Sequence, residues 1–123
     1  MIDLRKLGKS FRYAFRGLWY VFRNEQNFRI HVFAAIIVVL LMIYFQVALW
    51  QAIMLLMVIM VVIILELINT IFEKVVDILR PRIHYYAEVI KDVMAVTVLV
   101  SSLGALIIGV LIFAPYVVAF FRG

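Results

Sequence analysis

Cysteine is absent from the 123 residues, which excludes disulfides and thiolate metal sites and leaves the redox compartment unread. Proline occurs only twice and glycine five times, and no linker, low-complexity tract or tandem repeat is visible. The familiar phosphate-cradling signatures are also missing: there is no G-x-x-x-x-G-K-[ST] loop, no glycine-rich loop after a strand, and no H-R-D or D-F-G, so any nucleotide site is of another design. The opening Met1-Ile2-Asp3-Leu4-Arg5-Lys6 is basic but leads into no short apolar region with a small-residue cleavage site, so a cleaved signal peptide is not expected. Acids are scarce, seven against twelve Lys and Arg.

What fills the chain instead is hydrocarbon. The apolar content is 68% and the mean hydropathy +1.17, whereas soluble chains run near half apolar. The length suits one domain, and its apolar surface is expected to face lipid. The net charge is +5, distributed unevenly. Seven basic residues (Arg5, Lys6, Lys9, Arg12, Arg16, Arg23, Arg29) precede the first apolar run, and four (Lys74, Arg80, Arg82, Lys91) lie between the second and third. By the positive-inside rule the N-terminus and second loop are cytoplasmic and the C-terminus is outside. A basic chain this apolar is expected to meet anionic headgroups rather than nucleic acid.

In chain order, Leu4, Leu7, Phe11, Phe15, Leu18 and Phe22 share one helical face, with Arg5, Lys6, Lys9, Arg12, Arg16 and Arg23 opposite. That pattern predicts an amphipathic surface helix over about 4–24. Asn24 to Arg29 is a polar break, with Asn24 a candidate cap. Apolar runs then predict three membrane-spanning helices, over about 30–50, 52–79 and 88–119. Gln46 to Gln51, with Trp50, forms an uncharged outer turn. Arg80-Pro81 ends the second span, because a residue before proline resists helical geometry, and Pro81 to Tyr86 is expected as a cytoplasmic loop. The third span carries Ser101, Ala105 and Gly109 at intervals of four, a small-residue stripe of the kind that admits a neighbouring helix.

One stretch concentrates the chemistry. Glu66-Leu67-Ile68-Asn69-Thr70-Ile71-Phe72-Glu73-Lys74-Val75-Val76-Asp77 follows fourteen unbroken apolar residues, Ala52 to Leu65. At about 100° per residue, Glu66, Asn69, Thr70, Glu73 and Asp77 fall on one face. A carboxylate within a hydrophobic segment costs roughly 3 kcal/mol, and a solvated helix end explains Asp77 but not Glu66. Glu25, His31, Glu66, Asn69, Glu73, Asp77, His84, Lys91 and Asp92 are all expected at one depth, near the cytoplasmic interface. Acids gathered there suit Mg²⁺, which takes one or two carboxylates and keeps phosphate oxygens and water. A partly desolvated Glu66 suits a general base for a hydroxyl, and together these parts suit phosphoryl transfer to a lipid alcohol. On these grounds alone a proton-coupled transporter competes on equal terms, and a non-catalytic membrane subunit is a third reading.

The stretch Glu66 to Asp77 resembles the signature of the small prokaryotic diacylglycerol kinase family, E-x-x-N-[ST]-x-x-E-x-x-x-D. Phe15-Arg16-Gly17-Leu18, Glu25-Gln26-Asn27-Phe28-Arg29-Ile30-His31, Lys91-Asp92 and Ile112-Phe113-Ala114-Pro115 extend the resemblance over almost the whole chain. It looks closest to the undecaprenol kinase branch of Gram-positive type. The resemblance implies an all-α integral membrane protein of the bacterial inner membrane, a surface helix plus three spans assembled as a homotrimer, with sites between subunits. It implies that Glu66 is the catalytic base, that Glu25 and Glu73 hold the Mg²⁺ that accompanies ATP, and that Asn69 orients the site. Lys6, Tyr13, Glu25, Glu73, Asp77, His84, Lys91 and Asp92 would contact nucleotide. His31 stands where the diacylglycerol-specific form has a Glu, which favours undecaprenol over diacylglycerol as acceptor. Ile71-Phe72 replaces a more usual Ala-Ile, and Met94-Ala95-Val96-Thr97 replaces an Ala/Gly-rich turn.

Overall fold

A computed structural model of the chain describes all 123 residues. It is all-helical: α1 (Leu4–Asn24), α2 (Gln26–Phe45) and α3 (Leu49–Arg122). The start of α1 is fixed by Asp3, whose carboxylate accepts from the backbone N–H of Arg5 at 2.9 Å and Lys6 at 3.3 Å. This is ordinary N-capping of donors that have no partner inside the helix, and it was not among the caps expected. Asn24 does not cap α2. Its amide donates back to the Tyr20 carbonyl at 2.8 Å, and the extended residue between the two helices is Glu25.

The α1–α2 corner is held from the far side by Arg29. Its guanidinium donates to the carbonyls of Phe22 at 2.9 Å and Arg23 at 2.8 Å, satisfying acceptors left open at the end of α1 and placing positive charge at that helix's negative end. Beneath it Phe28 is the most enclosed large side chain, 1% exposed. Phe22 stacks on Trp19 and meets Phe33 edge-on. These aromatics tie the amphipathic helix to the first apolar one.

α3 is 74 residues long and would reach about 110 Å if straight. It does not run straight. Ile83 leaves helical geometry at φ −114°, ψ 22°, and the chain folds back there. Lys91 meets Asp77, Leu55 packs with Ile112 and Phe113, and the Tyr116 hydroxyl donates to Gln51. The two arms, 49–82 and 84–122, therefore lie antiparallel. The expected six-residue loop from Pro81 is tighter than that: helix continues through Pro81 and breaks at a single residue two positions later. Proline removes one backbone donor and crowds the preceding turn, which weakens the helix just where it bends. The other reversal, between α2 and α3, turns on Gln46, whose φ of 51° is left-handed.

Only 11 of 123 residues are buried. No water-excluding core of normal size forms within one chain, so the apolar surface must be covered by something other than water. Both α2 and α3 are long and apolar enough to cross a bilayer, and with α3 doubled back three helical arms carry that surface. The small-residue stripe stays open within the chain at Gly109, where an added side chain would meet nothing within 4 Å.

Candidate active site

The acid face of α3 turns inward at one place. Glu66 is 2% exposed and Thr70 5% exposed, the two buried polar residues of the chain. The Thr70 hydroxyl is spent on the Glu66 carbonyl at 3.1 Å, one turn back. The Glu66 side chain faces α2, where Oε1 lies 2.9 Å from His31 Nδ1. Both of these atoms are fully enclosed and neither has another polar partner, although they are not well aligned for a hydrogen bond. A carboxylate taken out of water is tolerated when an opposite charge or a donor meets it. His31 is the only group that does so here.

His31 is held on its other side. Its Nε2 lies 3.2 Å from the Ser102 hydroxyl on the returning arm of α3, so one imidazole joins both arms across α2. Glu25, at the α1–α2 corner, and Glu73, two turns beyond Glu66, are close enough that their charges act on Glu66. The Asn69 amide reaches Glu73 Oε1 at 3.5 Å. Lys74, one residue on, sits over the Tyr20 ring at 5.9 Å and feels Glu25 as well, which brings the end of α1 to the same level.

The chain thus gathers Glu25, His31, Glu66, Asn69 and Glu73 into one cluster. Asp77 and Lys91 meet near the turn, where His84 follows the break at Ile83 and Asp92 follows Lys91 in sequence. Asp77 lies eleven residues beyond Glu66, about 16 Å along the helix, and its carboxylate is engaged by Lys91 at 2.6 Å. Lys6 and Tyr13 are exposed on α1, about 28 Å and 18 Å of helix before Glu25, and a single chain does not bring them to Glu66. Two residues that the sequence reading passed over belong here: Ser102, hidden beside the stripe residue Ser101, and Arg29, whose cap acts across a break in the helix. Neither has a local spacing signal.

Glu25 and Glu73 have no cationic partner: the ion pairs of the chain are His31 with Glu66 and Lys91 with Asp77. No group of three His, Asp or Glu side chains converges as a closed metal cage. Two unpaired, half-buried carboxylates suit Mg²⁺, which leaves most of its coordination to phosphate and water, so the residues present fit that ion. Beside the cluster an apolar slot of about 390 Å³ runs from His31 and Ser102 past Ala35 and Ala105 to Phe113.

A buried acid, open carboxylates and an apolar slot are parts that a membrane phosphotransferase can use, and comparisons with known proteins identify the family. The family model described as prokaryotic diacylglycerol kinase matches residues 12–113. The chain belongs to that family. It is similar to the undecaprenol kinase of Bacillus subtilis, 34% identical over 113 residues that cover 92% of each chain. It is also similar to the diacylglycerol kinase of Synechocystis sp., 36% identical over 107 residues, 86% of this chain and 61% of that one. The matched region takes in the α1–α2 corner, His31, the whole acid face of α3 and Ser102. A kinase family implies a nucleotide as phosphate donor.

Proposed function

We propose that the chain is a single membrane lipid-kinase domain of the bacterial inner membrane, transferring the γ-phosphate of ATP to the hydroxyl of a membrane lipid alcohol, with undecaprenol the favoured acceptor. The observation that carries this reading is the inward-facing Glu66, enclosed against His31 with Glu25 and Glu73 close by. Family membership supports the reaction class. The acceptor assignment draws on His31 and on similarity to a protein named undecaprenol kinase along nearly its full length. Diacylglycerol is the second acceptor to test, because another relative is named for it.

In this reading Glu66 receives the proton of the acceptor hydroxyl, whose oxygen forms a bond to the γ-phosphorus. The bond from that phosphorus to the bridging oxygen breaks, and ADP leaves with the electron pair. Glu25 and Glu73 would hold Mg²⁺, which would supply neutralisation of charge on the phosphates. Asn69 steadies Glu73. Asp77, His84, Lys91 and Asp92 face the nucleotide from the turn. Lys6 and Tyr13 reach it from the α1 of a neighbouring chain, given their distance from Glu66 along their own helix. That requirement, with the stripe left open at Gly109, supports an oligomer, read as the homotrimer that the resemblance implies. The distribution of Lys and Arg supports an N-terminus and site on the cytoplasmic side and a C-terminus outside. The apolar slot gives the acceptor's hydrocarbon a path alongside His31.

The test is phosphorylation of undecaprenol and of diacylglycerol by the purified protein in mixed micelles, with labelled ATP and Mg²⁺. Transfer of label to a lipid, undecaprenol faster, is the expected result. No label in either lipid, with the protein demonstrably folded, would overturn the reading.

A further inference from the structure

The contacts around His31 set the placement of its protons. Ser102 Oγ lies 2.9 Å from the carbonyl of Val98, but that oxygen is oversubscribed. It accepts the Ser101 hydroxyl at 2.8 Å and, as in any helix, the backbone N–H four residues on. A carbonyl offers two lone pairs, so the three donors are not all served at once, and Ser102 has a second acceptor within reach. Its remaining neighbour is His31 Nε2 at 3.2 Å. If Nε2 accepts from Ser102, the ring proton of a neutral imidazole sits on Nδ1. That nitrogen faces Glu66 Oε1 at 2.9 Å and nothing else.

We propose that Ser102, His31 and Glu66 form a fixed relay across three helical arms, in which the Glu66 carboxylate draws the His31 ring proton to Nδ1, Ser102 anchors the ring at Nε2, and the ring faces one oxygen of Glu66, leaving the other free for the acceptor hydroxyl. Ser102 and His31 are positioning residues that act through Glu66; where they line the slot they meet only the acceptor's hydrocarbon. The order carboxylate, imidazole, hydroxyl is that of a catalytic triad, but here the carboxylate end does the chemistry and the hydroxyl end steers. The other charged groups near the relay are Glu25 from the α1–α2 corner and Glu73 from the same arm as Glu66; the returning arm contributes only Ser102. A helix-spanning contact of this kind also explains how a base can be held still where no water is available to solvate it.

The kinetic part of this inference rests on the lipid-kinase reading, and its structural part does not, so the experiment has two arms. In the first, nitrogen-15 spectra of the histidine rings are recorded in detergent micelles, with His31→Gln used to separate His31 from His84. The wild-type ring is expected to carry its proton on Nδ1 with Nε2 hydrogen-bonded, and Ser102→Ala is expected to shift the Nε2 resonance to that of an unbonded acceptor while the proton stays on Nδ1. A wild-type Nε2–H ring, or an Nε2 resonance unchanged by Ser102→Ala, would overturn the relay. In the second arm, Ser102→Ala is expected to lower kcat about 10–100-fold, the usual cost of losing a group that orients a reacting side chain. KM for ATP stays as in wild type, and Ser102→Thr recovers most of the rate. Ser102→Ala adds nothing in a His31→Gln background, since both act through one contact. Additive effects would refute the coupling. If the ring spectra are as expected and no lipid is phosphorylated, the kinase reading fails while the relay stands.

Discussion

Lys91 and Asp77 meet at 2.6 Å across the fold-back at Ile83, fourteen residues apart in sequence and facing each other from antiparallel arms. Both side chains are substantially exposed, so the contact is screened by water and contributes little to holding the arms together. In the proposed site its value lies in where it puts an ammonium, at the end of the arms, where a nucleotide phosphate would meet it. Lys91→Met is expected to raise KM for ATP while leaving the thermal midpoint unchanged. Equal KM values in steady-state assays would remove Lys91 from the nucleotide site.

Glu66→Gln keeps the size of the side chain and removes its capacity to take a proton. A general base is worth about 10²–10⁴-fold, so lipid phosphorylation should fall by at least two orders of magnitude with helical content unchanged by circular dichroism. Undiminished labelling would show that some other group takes the proton.

Chelation with EDTA is expected to abolish transfer, and added Mg²⁺ to restore it. Glu25→Gln and Glu73→Gln should each raise the Mg²⁺ concentration needed for half-maximal rate, about tenfold or more. A titration curve unmoved by either substitution would take the cation away from these two carboxylates.

Phe28 is the best-enclosed large side chain of the chain and closes the α1–α2 corner. Phe28→Ala leaves a cavity there and is expected to cost about 3 kcal/mol, read from unfolding in mixed micelles. Because that corner carries Glu25, activity should fall along with stability.

Gln46 occupies a left-handed conformation that costs a residue with a Cβ about 1–2 kcal/mol and that glycine adopts freely. Gln46→Gly should therefore raise the unfolding midpoint without changing the rate of transfer, because the turn lies at the far end of the arms from Glu66. A lower midpoint would mean that the Gln46 side chain contributes more than its backbone strain removes.

The sequence by itself determined the elements and the type of environment. Charge on one face and Leu or Phe on the other define α1 down to its last turn, and apolar runs too long for a soluble core identify the arms, since these patterns depend only on helical period. The acid face from Glu66 to Asp77 is likewise a local pattern, legible from spacing alone. Tertiary structure decided what a one-dimensional pattern cannot carry. It kept the helix through Pro81 and bent it at Ile83, because return packing of the second arm offsets a broken turn. It set Asp77, with Lys91, apart from the inner cluster, because eleven residues of helix is a long distance. It also gave His31 its partners, Glu66 on one side and Ser102 on the other, residues 35 and 71 positions away. A buried charge takes whichever donor the folded arms bring beside it, and no spacing rule records that choice.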